Sequence, residues 1–192
     1  MQGPESQAVK DFEGIPLRTD RLRLRPYRDS DAEAVFVIRS DPKVMRYWGS
    51  PPWTSIEQAH EAVTRDITGF DNGEHLALVI EKIDDGRLIG QCTLFKWDRN
   101  CRRAEIGYGL ASSAWGNGYM NEALKALIDY GFGPMELNRI EADIDPLNEA
   151  SARTLERLGF QKEGMLRERW IVNEEISDSA IYGLLHKDWN PR

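Results

Sequence analysis

Leu22 and Leu24 alternate with arginines in TDRLRLRP, a period of two that predicts a half-buried edge strand stopped by Pro26. The period then changes. Asp29 or Ser30 is placed to cap a helix reaching about Ser40, with Ala34, Val35 and Ile38 on one face. KVMRYWGSPPW, residues 43–53, keeps neither period and reads as an aromatic loop. Thr54 with Glu57, or Ser55 with Gln58, makes a capping-box pattern that opens a helix to about Phe70, with Gly73 just beyond its end. Residues 76–82 and 88–97 read as two antiparallel strands joined by the tight turn Asp84-Asp85-Gly86. A strand over 104–110 comes next, then a helix over 119–132, where Met120, Ala123, Leu124, Leu127 and Ile128 repeat at helical spacing. Residues 139–144 read as a strand and 148–158 as a helix ended by Gly159. Two closing strands, about 161–172 and 176–186, flank the Asn173-Glu174-Glu175 turn.

The resulting order, β-α-α-β-β-β-α-β-α-β-β, predicts an α/β fold in the broad sense, an α+β mixed sheet of about seven strands with helices on both faces. A length of 192 residues without an internal linker reads as one domain, 1–192, in which 1–16 form a flexible polar arm. An apolar content of 41%, with 6 Trp, 6 Tyr and 6 Phe, is enough to build a core without staples. The formal charge of -7 argues against a nucleic-acid surface and suits a cationic substrate, although solubility alone accounts for a charge of this size. Cys92 and Cys101, with no histidine nearby, give no disulfide framework and no zinc site, so no metal is expected. No basic stretch leads into an apolar core and no run approaches ~18 apolar residues, so neither export nor a membrane partner is expected and a cytoplasmic location is.

The segment ASSAWGNGYMNEAL, residues 111–124, carries the chemistry because its glycines lie between a strand and an amphipathic helix. The first N–H groups of a helix lack intrahelical partners and sit at the positive end of its dipole, so such a turn binds phosphate oxygens without a lysine. Gly116 and Gly118 allow positive φ and close approach of a ligand. A Walker loop fits poorly because no Lys-Ser or Lys-Thr follows the glycines, and a dinucleotide fingerprint fits poorly because the third glycine is missing and four strands come before; ATP binding at the same turn is a third reading.

At these residues the chain resembles the GNAT superfamily of N-acetyltransferases, whose acetyl-CoA loop reads Arg/Gln-x-x-Gly-x-Gly/Ala after the fourth strand. Trp115 and Met120 depart from that pattern, yet WGNGYMNEA is the form found in the branch that resembles the Rim-type ribosomal-protein N-terminal acetyltransferases. The opening LRTDRLRLRP, the stretch NRIEADIDPLNEASARTLERLGF and the C-terminal LRERWIVNEEISDSAIYGLL are similar to the same branch. The resemblance implies a mostly antiparallel sheet that splays between its fourth and fifth strands. It also implies acetyl-CoA as co-substrate, its pyrophosphate on the N–H groups of Trp115, Gly116, Asn117, Gly118, Tyr119 and Met120. Pantetheine would lie along Gly109, Leu110 and Ala111, with Asn148 and Ser151 facing the thioester. The implied partner is an amine, either a small molecule or a protein N-terminus, with a homodimer as a further possibility.

Acetyl transfer needs a neutral amine, a polarised carbonyl and a proton for the departing thiolate. Glu105 is the first candidate for the base. Many GNAT members place a tyrosine where Leu155 stands, and the resemblance implies Ser151 as the group beside the thiolate instead; Ser151 could equally cap the helix or bind cofactor. The N–H near Leu110 is the natural donor to the thioester oxygen. Tyr108 and Tyr182 read as core tyrosines with satisfied hydroxyls more readily than as groups reaching the cleft, and Asn173, Glu174, Glu175 and Asp178 as a solvated turn more readily than as an attraction for an amine. Tyr47, Trp48, Trp53, Trp97 and Trp170 either wall a pocket or fill the core, and Arg102 and Arg103 read as ordinary exposed arginines more readily than as a phosphate contact. His60, His75 and His186 fall in unrelated elements, so no Ser-His-Asp triad is indicated. The rival reading is a non-catalytic acyl-CoA-binding or sensing module.

Overall fold

A computed structural model describes residues 12–190. Its strands are β1 (Leu17–Arg18), β2 (Leu22–Pro26), β3 (Leu76–Lys82), β4 (Leu88–Asp98), β5 (Arg103–Leu110), β6 (Arg139–Ile144), β7 (Gln161–Val172) and β8 (Glu175–Leu185). The helices are α1 (Ala32–Arg39), α2 (Pro42–Met45), α3 (Ile56–Asp71), α4 (Tyr119–Phe132) and α5 (Glu149–Arg157). All strands join one eight-stranded sheet in the order β1-β2-β3-β4-β5-β6-β8-β7. Only β5 and β6 pair in parallel, and α4 supplies the crossover that a parallel pair requires.

Side chains of β3 show how the layers form. Leu76, Leu78 and Ile80 enter the large core under α4 and α5, while Ala77 and Val79 between them face the smaller core with Ala32 and Val35 of α1 and Ala59 and Val63 of α3. Alternation along one strand therefore feeds two cores, one on each face of the sheet. In α4 the buried residues Ala123, Leu124, Leu127 and Ile128 recur at the spacing that keeps them on one side, and all are fully enclosed. Leu155 of α5 is enclosed in the same core, so leucine at that position fills space.

Several sequence expectations change in detail. Residues 22–26 are not an edge, because Leu17 and Arg18 pair outside them with Leu24 and Arg23, which adds an eighth strand to the expected seven. Neither Asp29 nor Ser30 caps α1. Residues 29–31 form a single 3-10 turn instead, since the Asp31 carboxylate accepts from the Arg28 N–H at 2.8 Å and is held by Arg25. Ala34 lies off the buried face, which is Ala32, Val35 and Ile38. Within the expected loop 43–53, Pro42 and the Asp41 cap on the Lys43 N–H start the one-turn helix α2. Of the two possible capping boxes, Ser55 with Gln58 is the one formed. Of the expected arm, residues 1–11 lie outside the described residues; Phe12 stacks on Phe70 with ring centroids 5.1 Å apart, and the Glu13 carbonyl accepts from the Tyr130 hydroxyl at 2.8 Å.

The most enclosed charges sit at the end of β2. The Arg25 guanidinium grips Asp31 through two bonds of 2.8 Å and donates from Nε to Glu81 at 2.7 Å, and Arg23 reaches the same Glu81. Removing one member leaves another buried charge uncompensated. Asp31→Ala is expected to lower unfolding free energy by about 3–5 kcal/mol in urea titration. Truncating the exposed Arg153–Glu149 pair of α5 with Arg153→Ala is expected to change it by less than about 1 kcal/mol.

Candidate functional site

The β5 strand keeps its β4 partner over most of its length, from Phe95↔Glu105 to Gly90↔Leu110. Its pairing with β6 stops at Glu105↔Glu141. From Ile106 to Leu110 one edge of a central strand is therefore left open, a stretch of about 16 Å at ordinary strand rise. This is the splay expected between the fourth and fifth strands. Backbone groups on such an edge need partners, and a ligand carrying amides can supply them.

Beyond the open edge the chain turns into α4. A 3-10 turn over Ser112–Ala114 leads to Gly116 and Gly118, both at φ 76°, a left-handed conformation that glycine adopts without strain. Trp115 Nε1 donates to the Leu110 carbonyl at 3.0 Å, and Asn117 Nδ2 donates to the Trp115 carbonyl at 2.9 Å, so the turn braces itself. The first bond inside α4 runs from the Glu122 N–H to the Gly118 carbonyl at 3.2 Å, and no side chain caps the helix. Residues 115–118 are exposed, and a Cβ on Gly116 would meet nothing within 4 Å. The α4 N-terminus thus offers uncapped N–H groups to an open space, which fits an anionic group such as a diphosphate.

Arg21, which sequence reasoning passed over, stands beside this turn. Its Nη1 donates to the Asn117 carbonyl at 3.0 Å, its Nε donates to Glu122 at 2.6 Å, and its guanidinium lies 4.6 Å from the Tyr119 ring centroid. Glu122 also accepts from the Thr19 hydroxyl at 2.5 Å and the Arg21 N–H at 2.9 Å. Burial pushes the Glu122 carboxyl up, but these partners together hold it below the usual carboxylate range. By contrast, Arg102 and Arg103 lie at the far end of β5, about 25 Å away at ordinary strand rise; Arg103 is engaged by Glu141 at 3.2 Å.

On the α4–α5 face of the gap stand Tyr108 and Ser151. The Tyr108 hydroxyl is buried with no partner in hydrogen-bond geometry, contrary to the satisfied hydroxyl expected. Burial pushes it up to about 12, and the nearby Ser151 hydroxyl offsets part of that effect. Asn148 caps α5, its Oδ1 accepting from the Ser151 N–H at 3.1 Å, which places Ser151 in the first turn. Tyr182, in contrast, is enclosed in the core. Glu105 occupies the last paired rung before the gap and is held by Lys96 at 2.7 Å. Ser151 and Tyr108 are brought together, whereas Glu105 lies outside that pair.

On the opposite face the segment after α2 folds over the gap. A Cβ on Gly109 would come within 2.8 Å of the Trp48 ring, so glycine is what admits that ring against β5. Arg39 holds the segment, its guanidinium 3.9 Å from the Trp48 ring centroid and 5.1 Å from that of Trp53. Ser112 donates to Asp41 at 2.6 Å and, with the Lys43 N–H, keeps that carboxyl below its usual range. Between this segment and the β7–β8 hairpin lies a cavity of ≈ 290 Å³, lined by Trp48, Asp143, Asp145, Trp170 and Glu175 among others. Among the expected aromatics, Tyr47, Trp48 and Trp170 wall it; Trp53 backs Arg39, and Trp97 sits near Phe12. Among the described residues no cluster of three or more His, Cys, Asp or Glu is placed to hold a metal, and no helix is long and apolar enough to cross a membrane.

A family model described as an acetyltransferase (GNAT) domain matches residues 21–161. The chain is 38% identical to the uncharacterised N-acetyltransferase YoaA of Bacillus subtilis (strain 168), over 88% of this chain and 96% of that one. It is 28% identical to the spermidine N(1)-acetyltransferase of Escherichia coli (strain K12), over 82% of each. Among solved structures, Mycobacterium smegmatis RimJ in complex with CoA-disulfide superimposes with a TM-score of 0.77 at 28% identity, over 86% of this chain and 82% of that one.

The depressed Glu122 carboxyl gives this corner of the site a pH signature. Its stabilising effect is fully present above the unfolded value, about 4.3, and is lost as pH falls through the lower folded value. The stability gap between the protein and Glu122→Gln, followed by urea unfolding, is expected to be widest near neutrality and to close progressively below about pH 4.

Proposed function

Because this chain belongs to the GNAT family and is an N-acetyltransferase, we propose that it moves an acetyl group from acetyl-CoA to a primary amine by direct attack within a ternary complex. The observation that carries this reading is the uncapped α4 N-terminus opening beside an unpaired β5 edge. Main-chain N–H groups of Trp115, Gly116, Asn117, Gly118, Tyr119 and Met120 hold the diphosphate, and Gly109, Leu110 and Ala111 offer the edge along which pantetheine lies. The thioester supplies an acetyl group already activated for transfer.

The chain's own residues orient the partners and manage protons. A β5 N–H near Leu110 donates to the carbonyl oxygen as negative charge develops there. Ser151, with Asn148 holding the first turn of α5, stands near the departing sulfur and supplies a proton. The Tyr108 hydroxyl stays protonated at neutral pH, since burial raises it to about 12, and so remains a donor next to Ser151. Glu105 is the proposed acceptor of the amine's proton; its ion pair with Lys96 at 2.7 Å sets its position. The acceptor is a small amine or a protein N-terminus, a choice that the family leaves open. The E. coli relative is named for a small amine, spermidine.

Thiol release from acetyl-CoA in the presence of amines tests the reading. An enzyme releases CoA well above buffer hydrolysis, whereas a module that only binds acyl-CoA does not. Ser151→Ala is expected to lower kcat by about tenfold or more with little change in CoA affinity, and Glu105→Gln to lower kcat similarly. CoA is expected to raise Tm and ATP–Mg to leave it unchanged.

A further inference from the structure

The cavity on the Trp48 face contains a buried carboxylate oxygen, Oδ1 of Asp143, that accepts no hydrogen bond. Asp143 is on β6, two residues past the last β5 pairing, and its side chain is 8% exposed. Among the described residues its Oδ2 is ion-paired with the Arg169 Nε at 3.6 Å, beyond hydrogen-bond length. A buried carboxylate oxygen without a donor costs about 1–3 kcal/mol or more, a burden that an arriving N–H removes.

The rest of the cavity suits a cation. Asp145 and Glu175 line it as well, against a single lining guanidinium, Arg46, which Glu175 itself engages at 3.2 Å. Trp48 and Trp170 line it, and indole rings accommodate both methylene chains and positive charge. The walls are fixed: the Trp170 ring lies 3.0 Å from where a Gly49 Cβ would stand, and Trp170 Nε1 donates to Ser179 at 2.9 Å. At ≈ 290 Å³ the space is at the lower end for a ligand pocket, of order 300 Å³.

Resting on the acetyl-transfer reading above, we infer that this cavity is the acceptor site for a short aliphatic di- or polyamine, and that Asp143 binds one of its ammonium groups through the unpartnered Oδ1. Asp143 has a binding role, and its loss appears in KM. Glu105 is assigned to proton removal, and its loss appears in kcat. A peptide N-terminus carries a single charge, whereas three carboxylates, Asp143, Asp145 and Glu175, line the cavity.

The test measures CoA release with 1,4-diaminobutane and with a short serine-initiated peptide as alternative acceptors. The diamine is expected to give the higher kcat/KM by about tenfold or more, in line with one extra charge-assisted hydrogen bond. Asp143→Asn is expected to raise the diamine KM about tenfold or more, with kcat within about threefold and CoA affinity within about twofold. Ser177→Lys, which puts a fixed cation on the cavity lining, is expected to raise the same KM and provides the readout if Asp143→Asn does not fold. A diamine KM unmoved by both variants, or a preference for the peptide, overturns the assignment while leaving acetyl transfer intact. No CoA release with any amine overturns the acetyl-transfer reading. Calorimetric binding of 1,4-diaminobutane then decides the cavity alone: binding abolished by Asp143→Asn supports the assignment, and no binding to the unaltered protein overturns it.

Discussion

The structure turns on one interruption of main-chain pairing: β5 keeps β4 along one edge and gives up β6 along the other after Glu105. Parallel strands in the middle of a sheet ordinarily satisfy each other's N–H and C=O groups, so an opening there exposes a row of donors and acceptors inside the body of the fold. The same opening gives access to both faces of the sheet. On one face lie the α4 N-terminus, Tyr108 and Ser151; on the other lie Trp48 and the acidic cavity. A transfer reaction between a diphosphate-bearing donor and a cationic acceptor needs such a two-sided passage, because the two substrates must meet without sharing a binding surface.

Cross-chain pins keep the two sides in register. Arg21 and Thr19, just ahead of β2, grip Glu122 in the first turn of α4 and fix where the uncapped amides point. Ser112, in the turn between β5 and α4, donates to the Asp41 cap of α2, so the proposed cofactor turn and the proposed acceptor wall share a hydrogen bond. Arg39 lies between Trp48 and Trp53 and holds the aromatic segment down. Preorganisation of this kind reduces the ordering that binding would otherwise require.

Much of this was legible in the sequence where the signal is periodic. The helix over Tyr119–Phe132 and the strand over Arg139–Ile144 have the expected limits, because each buries a face whose spacing the letters display. The Gly116 and Gly118 turn was legible because φ 76° at both is a need that glycine answers. Less was legible where one residue outweighs a pattern. A single turn such as α2 hangs on Pro42 and the Asp41 cap, too short to show a period. Nothing in the LRTDRLRLRP segment distinguishes Arg21 from its neighbours, since its role comes from Glu122, about a hundred positions later. Asp143 was invisible for a related reason: an unpartnered oxygen is a property of the packed surroundings, and an aspartate in a β-strand reads as an ordinary polar position. Tyr108 was read as satisfied because most buried hydroxyls are, and it proves to be among the exceptions.

The most direct measurement is the crystal structure of the protein with CoA bound. The expected result has diphosphate oxygens about 2.7–3.2 Å from main-chain nitrogens of residues 116–120, with the thiol in the gap between β5 and β6 beside Ser151. CoA docked elsewhere on the molecule, or a β5 edge still unpaired with CoA present, would contradict it.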